Sequence, residues 1–178
     1  MTWLLAIIVV LLAFDLVVRV YYVAIVLRIF ETKPPFSVNT FPPDPMAEPI
    51  EFTTSHGLTL RGSLYHLPER TPRGLILFCP ETDGSHWSAM SYCRGLIDDG
   101  FAVLSFDFRG QGESDNLPGY TPNHWPTMYE VEDVRAAVNF IASRPDLQRL
   151  PLGLMGVSRG SSLALIAAAE SQIGRAHV

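Results

Sequence analysis

Hydrophobic residues run almost unbroken from position 3 to position 30, interrupted by Asp15, Arg19 and Arg28. A helix of that length exceeds the roughly 30 Å of a bilayer's hydrocarbon core. Asp15 and Arg19 stand four apart, on one helical face, where they can pair. The segment holds 19 Leu, Ile, Val and Phe residues. Each contributes about 0.3–0.6 kcal/mol to insertion, against about 2.5–3.5 kcal/mol for each charge left unpaired at mid-bilayer. Insertion wins, and residues 1–30 read as a transmembrane anchor. No basic residue precedes the run and no small-x-small site closes it, so a cleaved signal peptide fits poorly. A buried helix of a soluble protein is seldom this long and this apolar. Mutual neutralisation explains the Asp15–Arg19 pair more simply than a partner site within the membrane.

The pattern then changes period. Pro34, Pro35, Pro42, Pro43, Pro45 and Pro49 make 31–49 an extended, semi-rigid linker. Segments 50–54 and 58–65 alternate polar with apolar and are joined by Ser55-His56-Gly57, which predicts an antiparallel hairpin. Segments 74–79, 101–106 and 151–155 are short and largely apolar, the pattern of strands covered on both faces. Helices are expected between and after them. Segment 87–99 is amphipathic and stops at Gly100. Segment 128–143 puts Val131, Val134, Val138 and Ile141 on one face, with Glu130, Glu132 and Asp133 near the positive end of its dipole. Segment 158–169 is rich in Leu and Ala. A hairpin followed by alternating strands and helices predicts an α/β sheet with a mixed edge over residues 50–172.

Composition narrows the classes. A chain of 178 residues holds one ordinary domain besides the anchor. With 48% hydrophobic and 17% charged residues it is not a disordered tail. A net charge of −5 and the lack of any Lys/Arg run exclude a nucleic-acid footprint. Cys79 and Cys93 make no disulfide framework and no metal-ligand spacing, and read as free thiols in or near a core. Arg28 and Lys33 flank the C-terminal end of the anchor, so the positive-inside rule puts the rest of the chain in the cytoplasm. Free thiols agree with that compartment, and a bacterial periplasm is the alternative.

Two constellations carry candidate chemistry. Gly156-Val157-Ser158-Arg159-Gly160 is G-x-S-x-G. By composition a chain of this length meets that pattern by chance roughly 6% of the time, so its position between a buried strand and a helix carries the weight. A serine on such a turn is strained, its flanking glycines avoid clashes, and the helix N-terminus faces a developing oxyanion. The second constellation, Asp107-Phe108-Arg109-Gly110-Gln111-Gly112-Glu113-Ser114, follows a strand directly. It is no dinucleotide fingerprint, since no third glycine follows and no helix opens there.

The order of elements, the D-x-R-G-x-G-x-S turn and the elbow resemble the α/β-hydrolase superfamily, in its serine-aminopeptidase-like and monoacylglycerol-lipase-like branch. The opening FTTSHGLTLRGSLYHLP is similar to the first hairpin of that branch. The resemblance implies Ser158 as nucleophile and the Arg159 N–H as one oxyanion donor. The second donor comes from the loop after strand 74–79. There the family usually has His-Gly and this chain has Pro80-Glu81, which leaves Thr82 as the candidate. Asp107, Arg109, Gly110 and Gly112 are expected to brace their turn, and Gly156 and Gly160 the elbow. The family uses no metal or cofactor in this chemistry, and its substrates are small-molecule or lipid-like acyl compounds.

The same resemblance implies a triad in the order Ser, acid, His. Beyond Ser158 stand Glu170 and His177, within or just past the elbow helix, where the family places neither partner. His56, His66, His86 and His124 precede the serine and read as surface or loop residues. Five of the usual eight strands are accounted for. Residues 173–178, IGRAHV, resemble the translation of a sequencing adapter, so the natural chain is expected to diverge near Gln172. The reading is the N-terminal half of a membrane-anchored serine hydrolase, inactive as it stands. The alternative is a non-catalytic membrane-tethered interaction module.

Overall fold

The computed structural model describes residues 2–31, 41–67 and 70–171. The chain divides into two compact units, Met1–Pro35 and Phe36–Val178. Residues 32–40 of the expected linker and all of 173–178 lie outside the described residues.

The first unit is one helix, α1 (Thr2–Glu31). Apolar side chains surround it without a preferred face, and Arg19 Nε meets Asp15 Oδ2 at 2.7 Å, as their spacing predicted.

The second unit is a mixed sheet with helices on its faces. In chain order it comprises β1 (Glu48–Thr53), β2 (Thr59–Tyr65), β3 (Leu75–Cys79), α2 (Ala89–Asp98), β4 (Ala102–Phe106), α3 (Met128–Ser143), β5 (Leu152–Gly156) and α4 (Arg159–Ser171). The sheet order is β1-β2-β4-β3-β5. β1 and β2 form the hairpin, β2 pairs antiparallel with β4, and β3 pairs parallel with both β4 and β5. Every element expected from the pattern is present, α3 over its expected range and the others with shifted ends. β1 starts at Glu48, so Glu48 and Pro49 belong to the sheet and not to the linker; Pro49 is tolerated because β1 is an edge strand. A 3₁₀ turn, His86–Ser88, precedes α2.

The sheet buries both faces, which is why its central strands read as continuous apolar runs. Leu60, Leu75, Leu77, Leu104 and Phe106 pack with Val134 and Ile141 of α3 and Leu163 of α4. On the other face Tyr65, Phe78 and Val103 pack with Cys93 and Ile97 of α2. Both cysteines are free and buried. Burial pushes the thiol of Cys79 up to about 12 and that of Cys93 to about 11, so neither is a thiolate at neutral pH.

Long-range polar contacts tie the hairpin to the turn after β4. Asp115 accepts the Thr59 N–H at 3.0 Å and faces Arg61 Nη1 at 3.2 Å. The Thr59 N–H and the Arg61 guanidinium hold its carboxyl below the ordinary 3.8. A lowered folded-state pKa adds stability above the unfolded value, and that stability is lost as pH falls through the folded value. Asp115→Asn should therefore destabilise the protein near neutral pH, and the difference from wild type should shrink as pH falls below the ordinary 3.8. Urea titrations across that range measure it.

Candidate active site

The three parallel strands end at one edge of the sheet, where ligands of open α/β sheets bind. β5 ends at Gly156, and the chain turns through Val157 and Ser158 into α4. Ser158 is exposed and has φ +53°, a left-handed conformation that costs a non-glycine residue about 1–3 kcal/mol. The turn is tight enough to exclude side chains at both flanking glycines. A Cβ on Gly156 would stand 2.6 Å from the Ser161 nitrogen, and one on Gly160 would stand 2.5 Å from the Pro80 carbonyl oxygen. The Gly160 and Ser161 N–H groups bond the Val157 and Ser158 carbonyls at 2.9 and 3.0 Å. The Arg159 amide heads the same helical turn. Ser161 Oγ bonds the Gly156 carbonyl at 2.7 Å, inside the helix.

The loop after β3 reaches the same edge. The Val157 N–H bonds the Cys79 carbonyl at 3.2 Å, and Pro80 abuts Gly160. Glu81 and Thr82 are buried, Asp83 has φ +61°, and the Gly84 N–H closes the turn onto the Glu81 carbonyl at 3.0 Å. Thr82 and Ser158 therefore stand on neighbouring strand ends. Glu81 Oε2 is buried with no hydrogen-bond partner, an arrangement the sequence did not signal.

Asp107 and Arg109 brace the turn after β4. Asp107 Oδ1 accepts the His86 N–H at 2.6 Å and Oδ2 the Glu113 N–H at 2.8 Å. A Cβ on Gly112 would strike the Asp107 carboxylate, and Gly110, like Gly112, has positive φ. Arg109 Nε and Nη2 both bond Asp133 Oδ1, at 2.9 and 2.6 Å, and Nη2 also reaches Glu132. Burial pushes both the Asp107 and Asp133 carboxyls up, against the pull of His86 on the one and Arg109 on the other.

His86 is not the surface or loop residue its sequence suggested. It is buried, with Nδ1 2.9 Å from Ser63 Oγ and Nε2 3.9 Å from Asp107 Oδ2. Ser63, His86 and Asp107 thus form a serine–histidine–aspartate cluster, but Ser63 and Asp107 are wholly buried, so no substrate reaches the hydroxyl. No local signal could find it, because His86 lies 23 residues from Ser63 and 21 from Asp107. Elsewhere, His56 pairs with Glu132, His66 lies 3.9 Å from Glu48, and Glu170 pairs with Arg135. His177 falls outside the described residues. Two clefts, of about 400 and 290 Å³, include Arg135 and Trp87 respectively in their walls, and Ser158 lines neither.

The sequence model of the family described as serine aminopeptidase, S33, matches residues 70–175, which include the Asp107 turn and the elbow. The chain belongs to this family of α/β hydrolases. Among curated relatives, a polyketide transferase of Gibberella fujikuroi is 32% identical over 120 residues, covering 67% of this chain and 36% of the relative. A thiohydrolase of Aspergillus aculeatus is 32% identical over 123 residues, with the same two shares of 67% and 36%. Among solved structures, a hypothetical protein of Pseudomonas aeruginosa is 26% identical with a TM-score of 0.60, covering 79% of this chain and 44% of that one. An esterase of Pyrococcus furiosus, 24% identical with a TM-score of 0.62, covers 80% and 55% and shares the fold. This S33 chain spans between a third and a half of the length of the first curated relatives it matches.

Proposed function

We propose that this chain carries the nucleophile half of a membrane-anchored serine hydrolase. The observation that carries the reading is Ser158: an exposed serine in a left-handed turn between β5 and α4, clamped by two glycines that admit no side chain. In that reading Ser158 Oγ attacks an acyl carbonyl, the Arg159 and Thr82 N–H groups stabilise the oxyanion, and water releases the acyl group from the serine. The acid and histidine of the triad come from sequence beyond Gln172. The names thiohydrolase and esterase among relatives and structural neighbours support an ester or thioester substrate, with an amide as the alternative bond.

The membrane half of the proposal rests on α1. Thr2–Ile29 is long and apolar enough to cross a bilayer, and Asp15 is neutralised by Arg19. Arg28 and Lys33 at its C-terminal end favour a cytoplasmic catalytic domain.

In that reading the histidine comes from beyond Gln172, and a serine Oγ without its histidine is not deprotonated efficiently. The 178-residue chain should thus hydrolyse a p-nitrophenyl ester no faster than its Ser158→Ala variant. The full-length protein should hydrolyse esters or thioesters, and lose that activity at least about 10³-fold on Ser158→Ala. A full-length protein without such turnover would favour the non-catalytic module.

A further inference from the structure

Arg159 has two ends with different partners. Its main-chain N–H is the proposed oxyanion donor, while its side chain is fully buried and runs to the start of α3. Nη1 donates to Glu130 Oε1 at 2.8 Å and to the Asn123 carbonyl at 3.0 Å. Cζ lies 5.7 Å from the centre of the Phe108 ring. Glu130 is also fully buried. Its Oε2 accepts the Thr127 N–H at 2.7 Å and the Thr127 hydroxyl at 2.5 Å, and its Oε1 accepts the Tyr120 hydroxyl. Thr127 in turn caps α3 by accepting the Tyr129 N–H at 3.2 Å. One carboxylate therefore joins the elbow, the α3 N-terminus and the loop that carries Tyr120 and Asn123.

The arrangement is costly for a position whose place in G-x-S-x-G asks only for a main-chain N–H. Arg159 Nε and Nη2 are buried with no hydrogen-bond partner. A well-packed apolar residue would fill the space without orphaned donors, and buried ion pairs are commonly no more stabilising than such replacements. Direction is what an ion pair supplies and an apolar contact does not. The strained turn at Ser158 persists only if its surroundings over-determine it.

We propose that the Arg159–Glu130 pair positions the elbow, fixing the Arg159 N–H and Ser158 Oγ against α3. Arg159 is in this sense a positioning residue through its side chain, separate from the role of its amide. The inference rests on Ser158 being the nucleophile.

The test uses the full-length protein and the double variant Arg159→Met/Glu130→Gln. Glutamine keeps the capping interaction with Thr127 and can still bond Tyr120, so the charge pair is removed without leaving either charge alone. The double variant should melt close to wild type, yet label with a fluorophosphonate and turn over ester about 10- to 100-fold more slowly, in kcat and not in KM. Arg159→Lys, which keeps the charge but lacks the Nη1 that bonds both Glu130 and Asn123, should recover part of the rate. A double variant as fast as wild type overturns the proposal and makes the pair purely structural. Should the double variant not fold, Arg159→Lys decides: slower labelling at an unchanged melting temperature supports positioning, and the wild-type rate overturns it. Wild-type protein that takes no label at Ser158 fails at an earlier step, the nucleophile itself.

Discussion

Gly160→Ala should destabilise the domain by more than about 3 kcal/mol and abolish reaction at Ser158. The added Cβ would overlap the Cys79 carbonyl oxygen and stand 2.5 Å from that of Pro80. Both are main-chain atoms, at the end of a central strand paired on both sides, so neither can retreat. Overpacking a core usually costs about 1–3 kcal/mol because side chains give way; here none is available to do so. Gly95→Ala is the matched control. Gly95 lies within α2, and a Cβ there would meet nothing within 4 Å. That substitution should stabilise by up to about 1 kcal/mol through helix propensity alone. Urea denaturation of the two variants should therefore move in opposite directions. Equal, small effects would mean that the elbow is looser than its geometry implies.

The second large effect concerns α1, the proposed anchor. The intact chain should sediment with membranes and resist both high salt and alkaline carbonate, and deletion of residues 1–32 should release it to the supernatant. The argument is energetic. The apolar side chains of α1 surround the whole helix, and water would have to solvate all of them. The two charges that oppose insertion already meet at 2.7 Å, so a bilayer would receive a neutral pair. Carbonate extraction of the intact chain would contradict a spanning helix.

Legibility followed the range of the interactions. Elements defined by local period were legible: α3 occupies Met128–Ser143, the range its pattern predicts, and the hairpin and parallel strands follow in the expected order. Ends that depend on neighbours were not. Pro49 reads as linker and is strand, because only the sheet reveals that β1 is an edge. The elbow was visible because its motif is contiguous and its glycines are demanded by contacts within the turn and with the adjoining loop. The buried polar links were not visible, since Arg159 and Glu130 are 29 residues apart. One local hint existed: Thr127-x-x-Glu130 is a capping box, which marks Glu130 as more than an acidic residue favourable to the helix dipole. His86 carried no comparable hint, since its partners come from β2 and from the turn after β4.

The measurement that bears most directly on Ser158 is covalent. The full-length protein is treated with a fluorophosphonate and the labelled peptide is mapped. Ser161 bonds the Gly156 carbonyl, and Ser114 donates to the Asp107 carbonyl within its own turn. Among the described serines, Ser158 alone combines exposure, a left-handed turn and a place directly before a helix N-terminus. The label should appear on Ser158 and on no other serine, and Ser158→Ala should remove it. A label that survives Ser158→Ala, or maps to another serine, would contradict the catalytic reading of this chain.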